Sequence, residues 1–152
     1  MQKAVKLLIK RAENALDIPL PCYMTDGSSG MDLYAAVENV LTVEPNRTVL
    51  VPTGIFAAVP MGYELQVRPR SGLAVKNSIG ILNSPGTIDS DYRGEIKIII
   101  INLGEAPFNI KRGDRIAQIV LCPVIRAELE ETDELPSTER SDGGFGHTGI
   151  RN

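Results

Sequence analysis

The stretch GTIDSDYRGEIKIIIIN, residues 86–102, changes character at Glu95. From there to Asn102 it is nearly continuous in apolar residues, with isoleucine at 96 and at 98–101. Such a run predicts a strand covered on both faces, by a second sheet or by another subunit. Ahead of it, Asp89 and Asp91 admit three readings: a turn that starts a buried strand, a carboxylate pair holding a metal, or one general base with supporting neighbours. Side chains two apart in an extended backbone share a face, so spacing alone leaves the metal pair open.

Outward from this strand the punctuation is β-like, with 14 glycines and 10 prolines dividing short runs of Val, Ile, Leu and Tyr. YELQVRPR (63–70) alternates, Tyr63, Leu65 and Val67 on one side and Glu64, Gln66 and Arg68 on the other. TVLVPTGIFAAV (48–59) reads as extended, with Pro52 at an edge or bulge. FNIKRGDRIAQIVLCPV (108–124) reads as a strand, a tight turn at Arg112–Asp114 and a second strand. The N-terminal MQKAVKLLIKRAENALD reads as a further strand, its apolar stretch too interrupted by lysine for a signal peptide. Only SGLAVKN (71–77) predicts a helix, of two turns or fewer, and no segment carries the 3.6-residue apolar period of a packed helix. The expected body is an all-β sandwich or barrel.

A length of 152 residues suits one domain with its own core. Hydrophobic residues at 43%, without an apolar run of about 18, exclude a membrane span. A net charge of −3 argues against a nucleic-acid-binding face but permits a small anion held by a few arginines. Cys22 and Cys122 lie beside prolines without CxxC spacing and read as free thiols in an intracellular chain. Residues 1–126 form the predicted β-rich body. From 127 to 152 the chain turns acidic and then glycine-rich, as expected of an extended arm with a mobile end.

Besides the Asp89–Asp91 stretch, three short segments could carry chemistry. GSSGMDLYAA (27–36) places Asp32 after a flexible loop, where its carboxylate could reach the water shell of a magnesium ion or merely terminate a turn. RPRSGLA (68–74) combines Arg70, the Ser71 hydroxyl and turn N–H groups into an anion site; the structural alternative is Ser71 as an ordinary N-cap. GFGHTG (144–149) matches a dinucleotide fingerprint in letters only, since it does not follow a strand and open a helix. Its Phe145, with Arg140 before and Thr148 after, could instead stack on a base and pair with phosphate as a closing lid. The single histidine, His147, is badly placed to serve Ser71 as a base, which argues against covalent serine catalysis.

In order and wording, GSSGMDLYAA, PRSGLA, GTIDSDYRGEI, RGDRIAQIV and RSDGGFGHTG resemble the five motifs of the trimeric dUTPase family, spread over essentially the whole chain. The resemblance implies a distorted jelly-roll-like β-sandwich or barrel with one short helix and a C-terminal arm. It also implies a cytoplasmic homotrimer with active sites shared between three subunits, binding neither nucleic acid nor membrane. The implied reaction is Mg2+-dependent hydrolysis of dUTP to dUMP and pyrophosphate by water attack on the α-phosphorus, which keeps uracil out of DNA.

Carried over by motif, Asp89 is the residue that orients and deprotonates water. Arg70, Ser71, Gly72, Gln118, Arg140 and Thr148 hold the phosphates. Asn83, Tyr92, Phe145 and Gly146 hold uracil and deoxyribose, Tyr92 packing where a 2′-hydroxyl would clash. Asp32 meets the metal through water. Two departures are Ser29, where many members have alanine, and His147, where serine is common. A dCTP deaminase of the same fold, or a trimer that binds nucleotide only to regulate partners, are the competing readings.

Overall fold

A computed structural model describes residues 4–144. The strands are β1 (Leu8–Arg11), β2 (Met31–Tyr34), β3 (Leu41–Val43), β4 (Thr48–Ala58) and β5 (Tyr63–Arg68). The one α-helix, α1 (Ser71–Asn77), follows, then β6 (Ile79–Ile81), β7 (Gly86–Ile88), β8 (Glu95–Asn102), β9 (Phe108–Ile110) and β10 (Arg115–Pro123). They form two four-stranded sheets, in the orders β1-β4-β8-β6 and β2-β10-β5-β7, and a ribbon of β3 and β9. All pairings are antiparallel.

The alternation in β5 does what its pattern predicts: Leu65 and Val67 are buried while Arg68 is exposed. They meet Leu33 and Ile119 of their own sheet and Val51, Ile55, Ile98 and Ile100 of the other in one core. Each such aliphatic side chain contributes roughly 1.5–3 kcal/mol on full burial. Two buried polar residues are satisfied locally. Asn102 donates to the carbonyls of Val43 and Ala106 at 2.8 Å each and accepts from Gly104 N–H at 2.9 Å, tying the end of β8 to β3. Thr53 donates its hydroxyl to the Ile96 carbonyl.

Two expectations needed correction, and a third is met on one face within a single chain. Within one chain β8 is buried on one face only: Ile96, Ile98, Ile100 and Asn102 point inward, Lys97 is exposed, and Ile99 and Ile101 are half-buried. The strands flanking Arg112–Asp114 do not form a hairpin. β9 pairs with β3 and β10 with β2 and β5, so the turn carries the chain from the ribbon into a sheet, with Gly113 at φ 83. Of the N-terminal run, only Leu8–Arg11 is a strand; a 3-10 turn at Glu13–Ala15 follows. Pro52 does sit at a bulge, where the β4–β8 register shifts between Pro52 and Phe56.

Arg112 closes the turn onto the N-terminal segment. Its guanidinium donates to both Asp17 carboxylate oxygens, at 2.8 and 2.6 Å, and to the carbonyls of Asn14, Ala36 and Val37. This hydrogen bonding holds the Asp17 carboxyl at about 2, below its usual 3.8. A depressed carboxylate contributes stability that is complete above its unfolded pKa and fades as pH falls towards the folded value. Both partners are solvent-accessible, so salt should weaken the pair. The urea midpoints of wild type and Asp17→Asn are therefore expected to differ at pH 6 and to converge between pH 3.8 and pH 2, with the gap narrowing in high salt. A gap that persists unchanged to pH 2 would refute the ionic origin.

Candidate active site

The loop that carries the chain from β7 in one sheet to β8 in the other holds Asp89 and Tyr92 of the predicted residues. β7 ends at Ile88, and the chain turns at once: Tyr92 N–H donates to the Asp89 carbonyl at 3.2 Å. Arg93 braces the turn by donating to the carbonyls of Ser90 and Tyr92 at 2.7 and 2.8 Å. The extended backbone that would align Asp89 with Asp91 is thus replaced by a turn. Asp89, Asn83 and Tyr92 line one cavity of about 400 Å³, with Val67, Ile81 and Ile98 among its apolar walls. Asp91 lines a neighbouring cavity, which Asp89 also borders. Asp89 is exposed, and its side chain makes no hydrogen bond or ion pair among the described residues. Tyr92 is half-exposed, its hydroxyl donating to the Glu95 carbonyl at 3.0 Å.

A second group forms where β10 lies between β2 and β5. Gln118 is opposite Asp32 on one side and Arg68 on the other. Asp32 is nearly buried and accepts from two arginines: Arg70 Nε at 3.1 Å and Arg115 Nη1 at 3.3 Å. Arg70 also donates to the Arg115 carbonyl at 3.1 Å, which fixes its guanidinium from two sides. Two cations share this one carboxylate, and Lys111 joins Arg70 and Arg115 around a cavity of about 390 Å³ that Asp114 also lines, three cations against one carboxylate on its wall. The Gln118 amide donates to the Pro69 carbonyl at 3.0 Å. Gly30 makes room for it, since a Cβ there would fall 2.4 Å from Gln118 Oε1.

At the start of α1 the N-cap is Arg70, not Ser71, and no side chain caps it. Ser71 is the first helical residue, so its hydroxyl is not spent on capping. The N–H groups of Ser71 and Gly72 have no intrahelical partners and are available to an anion. The sequence reading missed Arg115; its only signal was a second arginine three positions before Gln118 in RGDRIAQ.

Arg70 and Arg115 line a different cavity from Asp89, Asn83 and Tyr92, and no hydrogen bond or ion pair joins the two groups among the described residues. Arg140 lies apart from both, in an exposed turn where its Nε donates to the Gly143 carbonyl at 2.7 Å. Phe145, Gly146, His147 and Thr148 lie outside the described residues. Among the described residues no group of three or more His, Cys, Asp or Glu is placed to hold a metal. The Asp32 carboxylate is an oxygen donor of the kind a magnesium ion or its bound water accepts as a partner.

The family model described as dUTPase matches residues 17–149. A deoxyuridine 5'-triphosphate nucleotidohydrolase of Caldanaerobacter subterraneus subsp. tengcongensis is 56% identical over 147 residues, covering 97% of this chain and 99% of the relative. The enzyme of that name from Desulfotalea psychrophila is 50% identical over 150 residues, covering 99% and 100%. Among solved structures, the Staphylococcus bacteriophage 80alpha dUTPase with dUPNHPP superposes with a TM-score of 0.86 at 26% identity, covering 97% of this chain and 100% of that one.

Proposed function

The chain belongs to the dUTPase family, and from that premise and its own geometry we propose that it hydrolyses dUTP to dUMP and pyrophosphate with Asp89 as the water-activating base. The observation that carries the assignment is the shared cavity of Asp89, Asn83 and Tyr92: a carboxylate without partners among the described residues, an amide and an aromatic ring around about 400 Å³, a volume suited to a nucleoside. Asn83 and neighbouring backbone groups read the uracil edge, and the Tyr92 ring walls the deoxyribose. Asp89 orients a water in line with the α-phosphorus and accepts its proton.

The cationic group supplies the other half. Arg70, the Ser71 hydroxyl, the N–H of Gly72 and the Gln118 amide bind the phosphates and stabilise charge on the leaving pyrophosphate. Asp32, gripped by Arg70 and Arg115, chiefly aims Arg70, and its remaining lone pairs can take a water of the metal's shell. Magnesium, when bound, would be held through water by Asp32 and would supply further neutralisation of that charge. From the arm, Phe145 and Gly146 close over uracil while Arg140 and Thr148 meet the γ-phosphate.

These halves are proposed to meet between subunits of a homotrimer. Support comes from apolar surface that one chain leaves open: Ile99 and Ile101 on the outer face of β8, Leu82 and Leu103 nearby, and Ile125, Leu129 and Leu135 along an exposed arm. Residues 124–142 are exposed throughout, as expected of an arm whose seat is on a neighbour. No helix of the described residues is long and apolar enough to cross a membrane, and two free cysteines suit a reducing cytoplasm.

The direct test is incubation with each dNTP and with UTP in the presence of Mg2+. Pyrophosphate is expected from dUTP alone at low enzyme. Ammonia released from dCTP would transfer the assignment to the deaminase of the same fold, and binding of dUTP without turnover would favour a regulatory trimer.

A further inference from the structure

Gly54, Gly62 and Gly113 occupy left-handed backbone, with φ of 66, 85 and 83, and need glycine for that reason. Gly94, in the turn before β8, is not among them, so conformational freedom does not account for it. Space does. A Cβ on Gly94 would stand 2.2 Å from Tyr92 Oη, 2.5 Å from Cζ and 2.9 Å from Cε2. The phenol end of Tyr92 therefore rests on the bare face of Gly94, and its hydroxyl is pinned there by the bond to the Glu95 carbonyl.

We propose that Gly94 is a positioning residue for sugar selectivity: its missing side chain sets the seat of the Tyr92 ring, and that seat decides whether a 2′-hydroxyl is rejected. This rests on the reading of Tyr92 as the deoxyribose wall. The clashing atoms are the far end of a side chain that is 45% exposed, so a methyl group at position 94 can be absorbed by swinging the ring away. The fold survives such a movement, but the wall is lost along with the Oη bond. What then remains is a pocket that tolerates an added hydroxyl, and such pockets discriminate poorly.

The experiment compares kcat/KM for dUTP and UTP in wild type, Gly94→Ala, Tyr92→Ala and the double variant, with thermal melts of each. Gly94→Ala is expected to raise the UTP-to-dUTP ratio by about tenfold or more. In the Tyr92→Ala background, adding Gly94→Ala should change the ratio by less than about twofold, because the partner of the clash is gone. A wild-type ratio in Gly94→Ala, or an equally large shift without Tyr92, overturns the proposal. Should Gly94→Ala fail to fold, a double variant that folds supports the steric account, and one that also fails overturns it. If Tyr92→Ala alone keeps the wild-type ratio, the sugar-wall reading falls and the inference with it. A relaxed Tyr92→Ala beside an unchanged Gly94→Ala sinks the inference alone.

Discussion

Asp89→Asn is expected to lower kcat for dUTP by about 10²–10⁴-fold while leaving KM within a few-fold, because the substitution removes general-base assistance and little else. The side chain is exposed and makes no hydrogen bond or ion pair among the described residues, so its replacement by an isosteric amide should not move the melting temperature. A carboxylate that merely stabilised the turn would show the opposite pattern, losing stability and keeping turnover. Here the turn is held by other groups: the Tyr92 N–H on the Asp89 backbone carbonyl, and the two bonds from Arg93. A carboxylate is a weak base for water, so its effect must come largely from where it stands. Asp91→Asn is the matched control, since Asp91 lines only the neighbouring cavity and should leave kcat nearly unchanged. Near-normal turnover by Asp89→Asn would end the mechanism proposed for this site.

What local pattern could dictate was legible in the sequence. The alternation of YELQVRPR became β5, SGLAVKN became α1 over the same seven residues, and Pro52 took the bulge its missing N–H requires. Pairing was not legible. The segments around Arg112–Asp114 have hairpin spacing, yet each found its partner elsewhere, because partner choice is set by burial across the whole molecule rather than by turn length. β8 illustrates the same limit. Its isoleucines promise burial on two faces, but a sequence cannot say which face its own chain covers and which is left for another.

The site divides along similar lines. Residue chemistry pointed to Arg70 and left Asp89 and Asp91 undecided; the resemblance to the family motifs singled out Asp89 and Gln118. The contacts that aim them are long-range and left no local trace: Arg70 and Arg115 on Asp32, 38 and 83 residues away, or the space Gly30 leaves for Gln118. Arg112 on Asp17, at 95 residues, holds the framework in the same manner. Ser71 was ambiguous between cap and ligand until the backbone placed the cap at Arg70. Polar pairs of this kind become visible only when strands from distant parts of the sequence are brought into register.

Co-expression of Asp89→Asn chains with Arg70→Ala chains is expected to recover about a quarter of wild-type activity per chain, although each variant alone is nearly inactive. The two groups stand apart: within one chain Asp89 and Arg70 line different cavities. If a site takes its base from one subunit and its phosphate arginine from the next, every mixed trimer contains one site with both residues intact. Random assembly puts about three-quarters of trimers in the mixed class, and one working site in three of these amounts to about a quarter of all sites. Loss of Arg70 leaves Asp32 paired with Arg115, so assembly should survive and can be checked by light scattering. A site completed within one chain would behave differently, because each chain would carry one defect in its own site and mixing could restore nothing. Background activity in the co-expressed enzyme, with trimers intact, would therefore place both residues in one chain's site and overturn the shared arrangement, whereas recovery near a quarter has no explanation in which the subunits act alone.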